Sequence, residues 1–342
     1  MYFDHNATSP MSDSVRAAVT HAMGHQWANP SSPHRLGQDA AVKVEMARRA
    51  IALRLAVPPK AVFFTSGATE ANAWALHQRE NPVIASAVEH PSVLEWADEL
   101  IGVDDQGIID LDALRRRLEK GPGVVCVMAA NNETGTIQPV EEVGRLCSES
   151  GSWFHCDATQ WVGRMDGVIQ ADSITISAHK LGGPRGVGAL VTLNPPEPLL
   201  KGGAQERGQR AGTLNVPGII GFGQAISECA GFSSTQRDLL EAFCISRGAT
   251  IIGDGAPRLP NTCLALFDVP GDLIVAAMDL EGLCASTGSA CSSGSSQASP
   301  VLSAMGVEGV PVRFSLGHDS LAGEAISVLA GVLDRMETPC AS

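Results

Sequence analysis

Basic residues are the minority charge in this chain, 24 Lys and Arg against 37 Asp and Glu, a formal balance of −13. That balance disfavours a nucleic-acid or anionic-membrane surface, while leaving room for a local basic pocket around a small anion. Long apolar runs are missing as well. None approaches the roughly eighteen residues needed to span a bilayer. The start, Met1-Tyr2-Phe3-Asp4-His5-Asn6, lacks the basic stretch and apolar run of a signal peptide. A cytoplasmic protein with no nucleic-acid and no membrane partner is expected. Paired cysteines are lacking too: the nine, at 126, 147, 156, 229, 244, 263, 284, 291 and 340, contain no Cys-x-x-Cys. Neither a disulfide framework nor a structural zinc is indicated, and no metal is expected. Most lie in apolar runs, as Cys126 does in Val124-Val125-Cys126-Val127-Met128, and read as core thiols.

What remains is ordinary globular material, 342 residues with 44% hydrophobic and 18% charged, enough for one large core and a smaller second one. Val15, Ala18, Val19, Ala22 and Met23 fall on one helical face, with Gly24 as the expected stop. A second helix is expected from about Gln38 to Ala56, halted by Pro58-Pro59. Strands then alternate with helices. Val62-Phe63-Phe64-Thr65 reads as a strand turning through Ser66-Gly67-Ala68-Thr69-Glu70 into a helix from Ala71 to Leu76. That turn is either a plain capped junction or a phosphate site built from helix amides and the Thr69 hydroxyl. The strand Val83 to Ala87 ends near His90, and Ser92 with Glu95 predicts a capping box opening a helix to Ile101. Further strands end at Asn131-Asn132, at Asp157-Ala158-Thr159-Gln160, and at Ser177-Ala178-His179-Lys180 before a glycine-rich turn. Lys180 is either a solvated lysine at a strand end or a partly desolvated Schiff-base lysine with a depressed pKa.

This rhythm predicts a doubly wound, largely parallel α/β sheet over residues 11–233. Residues 234–342, completed by 1–10, read as a smaller α+β domain with a strand at Val312–Leu316 and a final helix lined by Leu321, Ile326, Leu329 and Leu333. In one parallel sheet the strand ends converge, bringing Thr69, His90, Asn132, Asp157, Gln160 and Lys180 together. A phosphate cradle, a carboxylate and a Schiff-base lysine are the parts that pyridoxal phosphate requires.

The chain resembles the cysteine desulfurases of the Nif/Isc type, within the class V aminotransferase-like, fold-type I pyridoxal phosphate enzymes. The resemblance rests on Asn29-Pro30-Ser31-Ser32, Phe64 to Glu70, Glu89-His90, Asn131 to Gly135, Asp157 to Gln160, His179-Lys180, Glu206-Arg207-Gly208, Gly212-Thr213, Gly288-Ser289-Ala290-Cys291 and Arg313-Phe314-Ser315, in order nearly end to end. It implies that Lys180 bonds covalently to the cofactor, that Asp157 pairs with the ring nitrogen and Gln160 with the ring hydroxyl, and that His90 stacks on the ring and moves protons. It further implies that Ala68, Thr69, Ser177 and His179 hold the phosphate, with Thr213 reaching the phosphate of the partner in a homodimer. Asn132 and Arg313 would take the carboxylate of L-cysteine; outside the resemblance, an arginine in an alternating strand is more often a surface residue.

Cys291 is the implied nucleophile. It lies in Ser286-Thr287-Gly288-Ser289-Ala290-Cys291-Ser292-Ser293-Gly294-Ser295-Ser296, a small, polar stretch expected to be mobile and similar in length to the long-loop group. The implied products are alanine and a persulfide on Cys291, handed to a sulfur acceptor or scaffold protein of unknown identity for iron–sulfur or other sulfur-cofactor synthesis. Three rivals stay open: a selenocysteine lyase, an amine-transferring class V enzyme on the same scaffold, and a non-catalytic sulfur-relay protein. Two departures from the family pattern are an abbreviated stretch before Gly202-Gly203 with little after the last helix, and a Ser299-Pro300 order where the long-loop group has Pro-Ser.

Overall fold

The computed structural model describes residues 1–288 and 299–337. Two helices come first, α1 (Asp13–His25) and α2 (Arg35–Arg54). The Ser12 hydroxyl caps α1, accepting from the Val15 amide at 3.2 Å. The expected glycine stop is corrected: α1 runs through Gly24 and closes at Gln26, whose N–H reaches the Ala22 carbonyl at 2.8 Å. Gly24 does not take the left-handed conformation that a glycine stop requires. α2 starts earlier than the periodicity suggests, because His34 Nδ1 accepts from the Gly37 amide at 3.2 Å and opens the helix there.

β1 (Val62–Thr65), α3 (Ala68–Leu76), β2 (Val83–Ser86), α4 (Pro91–Leu94), β3 (Glu99–Ile101), α5 (Leu111–Leu118), β4 (Val124–Cys126), α6 (Val140–Ser150), β5 (Trp153–Asp157), β6 (Ser173–Ser177) and β7 (Gly188–Thr192) follow. Among the described residues these strands form one seven-stranded sheet in the order β1-β7-β6-β5-β4-β2-β3. β6, β5, β4, β2 and β3 pair parallel, and β7 runs against both its neighbours, β6 and β1. The expected largely parallel α/β sheet is therefore present, and β1, β2, β4, β5 and β6 all end on one edge.

One expected helix is cut short. α4 has four residues instead of continuing to Ile101, and Glu99–Ile101 is the edge strand, in register with Ile84–Ser86. The outer side of β2 has backbone groups that must be paired, and the Ala87 amide finds the Ile101 carbonyl there at 2.9 Å. His90, not Ser92, is the N-cap of α4, its Nδ1 accepting from the Ser92 amide at 3.1 Å.

α7 (Val216–Glu228) packs with α1 and α2 over the sheet, where Phe222, Ile219, Ile51 and Ala47 are buried. The remaining elements are α8 (Thr235–Ser246), β8 (Thr250–Ile251), β9 (Thr262–Leu266), α9 (Gly271–Leu280), α10 (Pro300–Ala304), β10 (Val312–Ser315) and α11 (Ala322–Glu337). β10, β9 and β8 make an antiparallel sheet over a second core that contains Phe3, Leu240, Phe314, Leu329 and Leu333. Leu321, expected on the apolar face of the final helix, instead precedes α11 and is exposed. The N-terminal segment links the two cores. Phe3 donates to the Cys284 carbonyl at 2.8 Å, and six residues on Ser9 donates to the His179 carbonyl at 2.8 Å. No helix among the described residues is long and apolar enough to cross a membrane.

Candidate active site

The shared edge of the parallel strands opens on a cavity of ≈ 530 Å³. Ala68 and Thr69 line it from the start of α3, His90 from the β2–α4 junction and Asn132 from the turn after β4. Asp157, Gln160, Ser177, His179 and Lys180 line it from the ends of β5 and β6, and Arg313 enters from β10 of the second sheet. Thr213 is exposed and does not line the cavity of its own chain. Cys291 lies outside the described residues.

β6 ends at Ser177 and the chain turns through Ala178–Lys180, which leaves Lys180 half-buried. Its Nζ donates to the Asn6 carbonyl at 2.6 Å and the Ala7 carbonyl at 2.8 Å. Gln160 Nε2 donates to the same Asn6 carbonyl at 3.0 Å, while Gln160 Oε1 is buried with no partner among the described residues. Asp157 holds each oxygen by one bond: Oδ1 accepts from the Thr159 amide at 2.9 Å and Oδ2 from Asn72 Nδ2 at 2.8 Å.

On the opposite wall α3 begins at Gly67 with no side-chain cap, so its first amides face the cavity unpaired by a capping group. Gly188 of β7 makes that approach feasible: a Cβ there would sit 2.7 Å from the Ile176 carbonyl and 2.8 Å from Gly67 Cα. Glu70, one turn in, accepts from the Ser66 amide at 2.7 Å and from Arg210 Nε at 2.7 Å. The turn is thereby tied to the loop that carries Thr213. A buried pair anchors that loop a second time, Arg48 Nη2 reaching Glu206 Oε1 at 2.7 Å, although Glu206 and Arg207 both adopt positive φ.

Burial sets the charge of several groups. It lowers the pKa of His90, opposed by Asp157 and reinforced by Lys180. It lowers His179 to about 4, with Lys180 and Arg185 adding to the effect. Arg313 is 1% exposed and is engaged within the chain, with Nη2 on Asp4 Oδ1 at 2.6 Å, Nη1 on the Asn132 carbonyl at 3.0 Å and on the Gly288 carbonyl at 2.5 Å. Glu133 beside it has its pKa raised by burial, opposed by the Ser299 hydroxyl, which donates to Oε2 at 2.7 Å. The Ser299-Pro300 order acquires a reason here. Ser299 caps α10, accepting from the Val301 amide at 3.1 Å, and proline follows at the first helical position.

Several cavity groups were not legible as site residues. Asn6 and Ala7 enter through backbone carbonyls in a segment that reads only as a short extended start. Asp4 reaches Arg313 across 309 positions of chain. Glu89 stood in the motif beside His90, yet its ionisation depends on burial. Its Oε1 accepts from Ser86 Oγ and the Met128 amide, both at 2.7 Å, and Oε2 is buried with no partner among the described residues.

Burial pushes the Glu89 carboxyl up to about 8, against those two hydrogen bonds. With its folded pKa above the unfolded 4.5, Glu89 contributes stability that is complete below about pH 4.5 and lost as pH rises through about 8. Glu89→Gln keeps the neutral shape and cannot ionise. It should flatten the fall in stability between about pH 5 and 8 by up to about 5 kcal/mol. Denaturant unfolding of the cofactor-free proteins across that range checks this, and identical pH slopes would contradict it.

The aminotransferase class-V family profile matches residues 1–325 of the chain. A cysteine desulfurase of Cereibacter sphaeroides is 37% identical over 372 residues, covering 98% of this chain and 96% of that protein. Among solved structures, a NifS-like protein superposes with TM-score 0.88 at 31% identity, covering 98% of this chain and 99% of the other. SspA in complex with cysteine superposes with TM-score 0.82 at 28% identity, covering 92% of this chain and 98% of the other.

Proposed function

The chain belongs to the aminotransferase class-V family, and from that membership and the cavity chemistry we propose that it is a fold-type I, pyridoxal phosphate-dependent cysteine desulfurase. The observation that carries the reading is the convergence of Lys180, Asp157 and the uncapped start of α3 on one cavity. The donor set fits the cofactor. The α3 amides suit a phosphate dianion, Asp157 suits a protonated ring nitrogen, and Thr159 Oγ1 and Gln160 Oε1, buried with no partner among the described residues, belong to residues that line the cavity. Relatives named as cysteine desulfurases and a neighbouring fold with cysteine bound support L-cysteine as substrate over a selenocysteine or amino-group-transfer reading.

When bound, the cofactor supplies a sink for the electron pair released at the substrate Cα. Lys180 Nζ anchors the cofactor and then takes the Cα proton. Asp157 would pair with the ring nitrogen and Gln160 with the ring hydroxyl, while Ala68, Thr69, Ser177 and His179 would hold the phosphate. Asn132 and Arg313 take the substrate carboxylate, a fork-shaped donor being suited to that anion. His90 lines the cavity, where it would face the ring and move a proton to the departing carbon frame. The Cys291 thiolate attacks the substrate sulfur; the S–S bond forms as the Cβ–S bond breaks. Cysteine and one thiol become alanine and a persulfide, with no outside oxidant. We further propose a cytoplasmic homodimer in which Thr213 reaches the partner's phosphate, and delivery of the persulfide sulfur to an acceptor or scaffold protein for iron–sulfur or other sulfur-cofactor synthesis.

Supplying L-cysteine with reductant and measuring alanine and sulfide together tests the reading. Equal amounts of both, formed without any keto acid, are expected. A keto-acid requirement would instead mark an aminotransferase.

A further inference from the structure

Beneath the cavity floor one set of side-chain hydrogen bonds joins β5, β6, α3 and α4. Trp153, His155 and Asp157 lie two apart on β5 and share a face, and Ser173 of β6 stands directly opposite His155 in the parallel register. Trp153 Nε1 donates to Ser173 Oγ at 3.0 Å, Ser173 Oγ meets His155 Nδ1 at 2.8 Å, and His155 Nε2 meets Asn72 Oδ1 at 3.0 Å. Asn72 Nδ2 then splits between Asp157 Oδ2 at 2.8 Å and Ser92 Oγ at 2.9 Å, and Ser92 Oγ meets His90 Nδ1 at 2.8 Å. Asn72, His155 and Ser173 are all fully buried, at 0% exposure.

The direction of every bond follows from the chemistry of the two ends. An indole N–H only donates, so Ser173 Oγ accepts from Trp153 and its own proton goes to His155 Nδ1. At the other end the Asp157 carboxylate only accepts, so Asn72 must present its amide nitrogen there and its oxygen to His155. His155 Nε2 therefore carries the proton. A neutral imidazole has one N–H, and the two ends assign it to the same nitrogen. Burial keeps His155 neutral, lowering its pKa to about 4. The second Asn72 N–H occupies Ser92 Oγ, whose proton is left for His90 Nδ1. The Ser92 amide also points at that nitrogen, at 3.1 Å, so Nδ1 cannot be protonated and the His90 proton sits on Nε2.

We propose that Asn72, backed by His155 and Ser173, is a positioning residue that aligns the Asp157 carboxylate with the cofactor ring nitrogen and holds His90 in its Nε2–H tautomer, as a proton donor to the cavity. One amide thus sets both the group that holds the ring and the group that hands a proton to the carbon frame. The proposal rests on reading the cavity as a pyridoxal phosphate site but not on the desulfuration step.

The test uses Asn72→Ala, His155→Phe and His155→Gln alongside the unaltered holoenzyme. The Gln amide nitrogen can stand where His155 Nε2 stood, whereas Phe keeps the ring and removes the donor. The equilibrium dissociation constant for pyridoxal phosphate should rise about tenfold in Asn72→Ala, which loses the hydrogen bond to the Asp157 carboxylate, and about fivefold in His155→Phe, which loses the neutral hydrogen bond that orients Asn72. His155→Gln should return to within about twofold of the unaltered protein. 15N NMR of histidine-labelled protein, with the His90 signals assigned by their loss in His90→Gln, should find Nδ1 bare and Nε2 protonated, and a mixture of tautomers in Asn72→Ala. Equal melting losses in both His155 variants with cofactor affinity unchanged would overturn the proposal. So would a protonated Nδ1 on His90. A protein that binds no pyridoxal phosphate at all would overturn the cofactor reading instead.

Discussion

Replacing Lys180 by alanine is expected to lower alanine formation from L-cysteine by at least about 10²–10⁴-fold, the usual contribution of a positioned general base. The loss should be larger in practice, because the same nitrogen also anchors the cofactor. Two observables separate this from misfolding. Borohydride treatment of the unaltered protein should fix the cofactor to the chain irreversibly, and Lys180→Ala should retain none. The variant should also melt only modestly earlier. Lys180 Nζ donates to the Asn6 and Ala7 carbonyls, and each acceptor left dry costs about 1–3 kcal/mol. Both carbonyls belong to a segment at the cavity wall that water can reach once the side chain is gone. Alanine output within tenfold of the unaltered protein would remove Lys180 from the chemistry.

Cys291→Ala should give an equally large loss of alanine with the opposite cofactor behaviour. Pyridoxal phosphate should bind with unchanged affinity and remain reducible onto Lys180, because the proposed cofactor contacts come from Lys180, Asp157, Gln160 and the phosphate-holding residues rather than from the thiol. With no thiolate to attack the substrate sulfur, the Cβ–S bond has nothing to receive its sulfur, and turnover should fall by about 10³-fold or more. A single-turnover experiment with 35S-cysteine should label the unaltered protein in a reductant-labile form and leave the variant unlabelled. Normal alanine output from Cys291→Ala would sink the proposed sulfur transfer. Lys180→Ala and Cys291→Ala together divide the reaction. One removes cofactor attachment and proton transfer, and the other removes the sulfur acceptor alone.

Arg313 illustrates a contribution that neither experiment isolates. The fork expected to take the substrate carboxylate is held by Asp4 through Nη2 and by two backbone carbonyls through Nη1. Under the proposed reading, a substrate carboxylate would meet a guanidinium already fixed in one orientation, with its rotamer entropy spent on folding.

Much of the catalytic edge was legible because it is locally written. β1 was read at its observed limits, and β5 and β6 end where the sequence placed their ends, since β-branched and aromatic runs ending in small residues leave few alternatives. The parallel arrangement then brings the strand ends together, so His90, Asp157 and Lys180 could be placed on one edge before any contact was known. Glu99–Ile101 was misread as helix because a three-residue edge strand with two exposed positions carries no period-2 signal. Gly24 was misread as a stop because local sequence does not say whether a glycine will take positive φ.

By itself, the sequence determined the alternation of strands and helices, the lysine turn, and the order of chemical groups along the catalytic edge, all set by short-range periodicity and turn chemistry. Only the tertiary structure decided which groups touch and in which protonation state. Asn72 meets Asp157 across 85 positions and His155 across 83, and Glu89 keeps its proton up to about pH 8 because packing removes it from water. Desolvation and hydrogen-bond direction depend on what surrounds a group in space, and those surroundings exist only once the chain has folded.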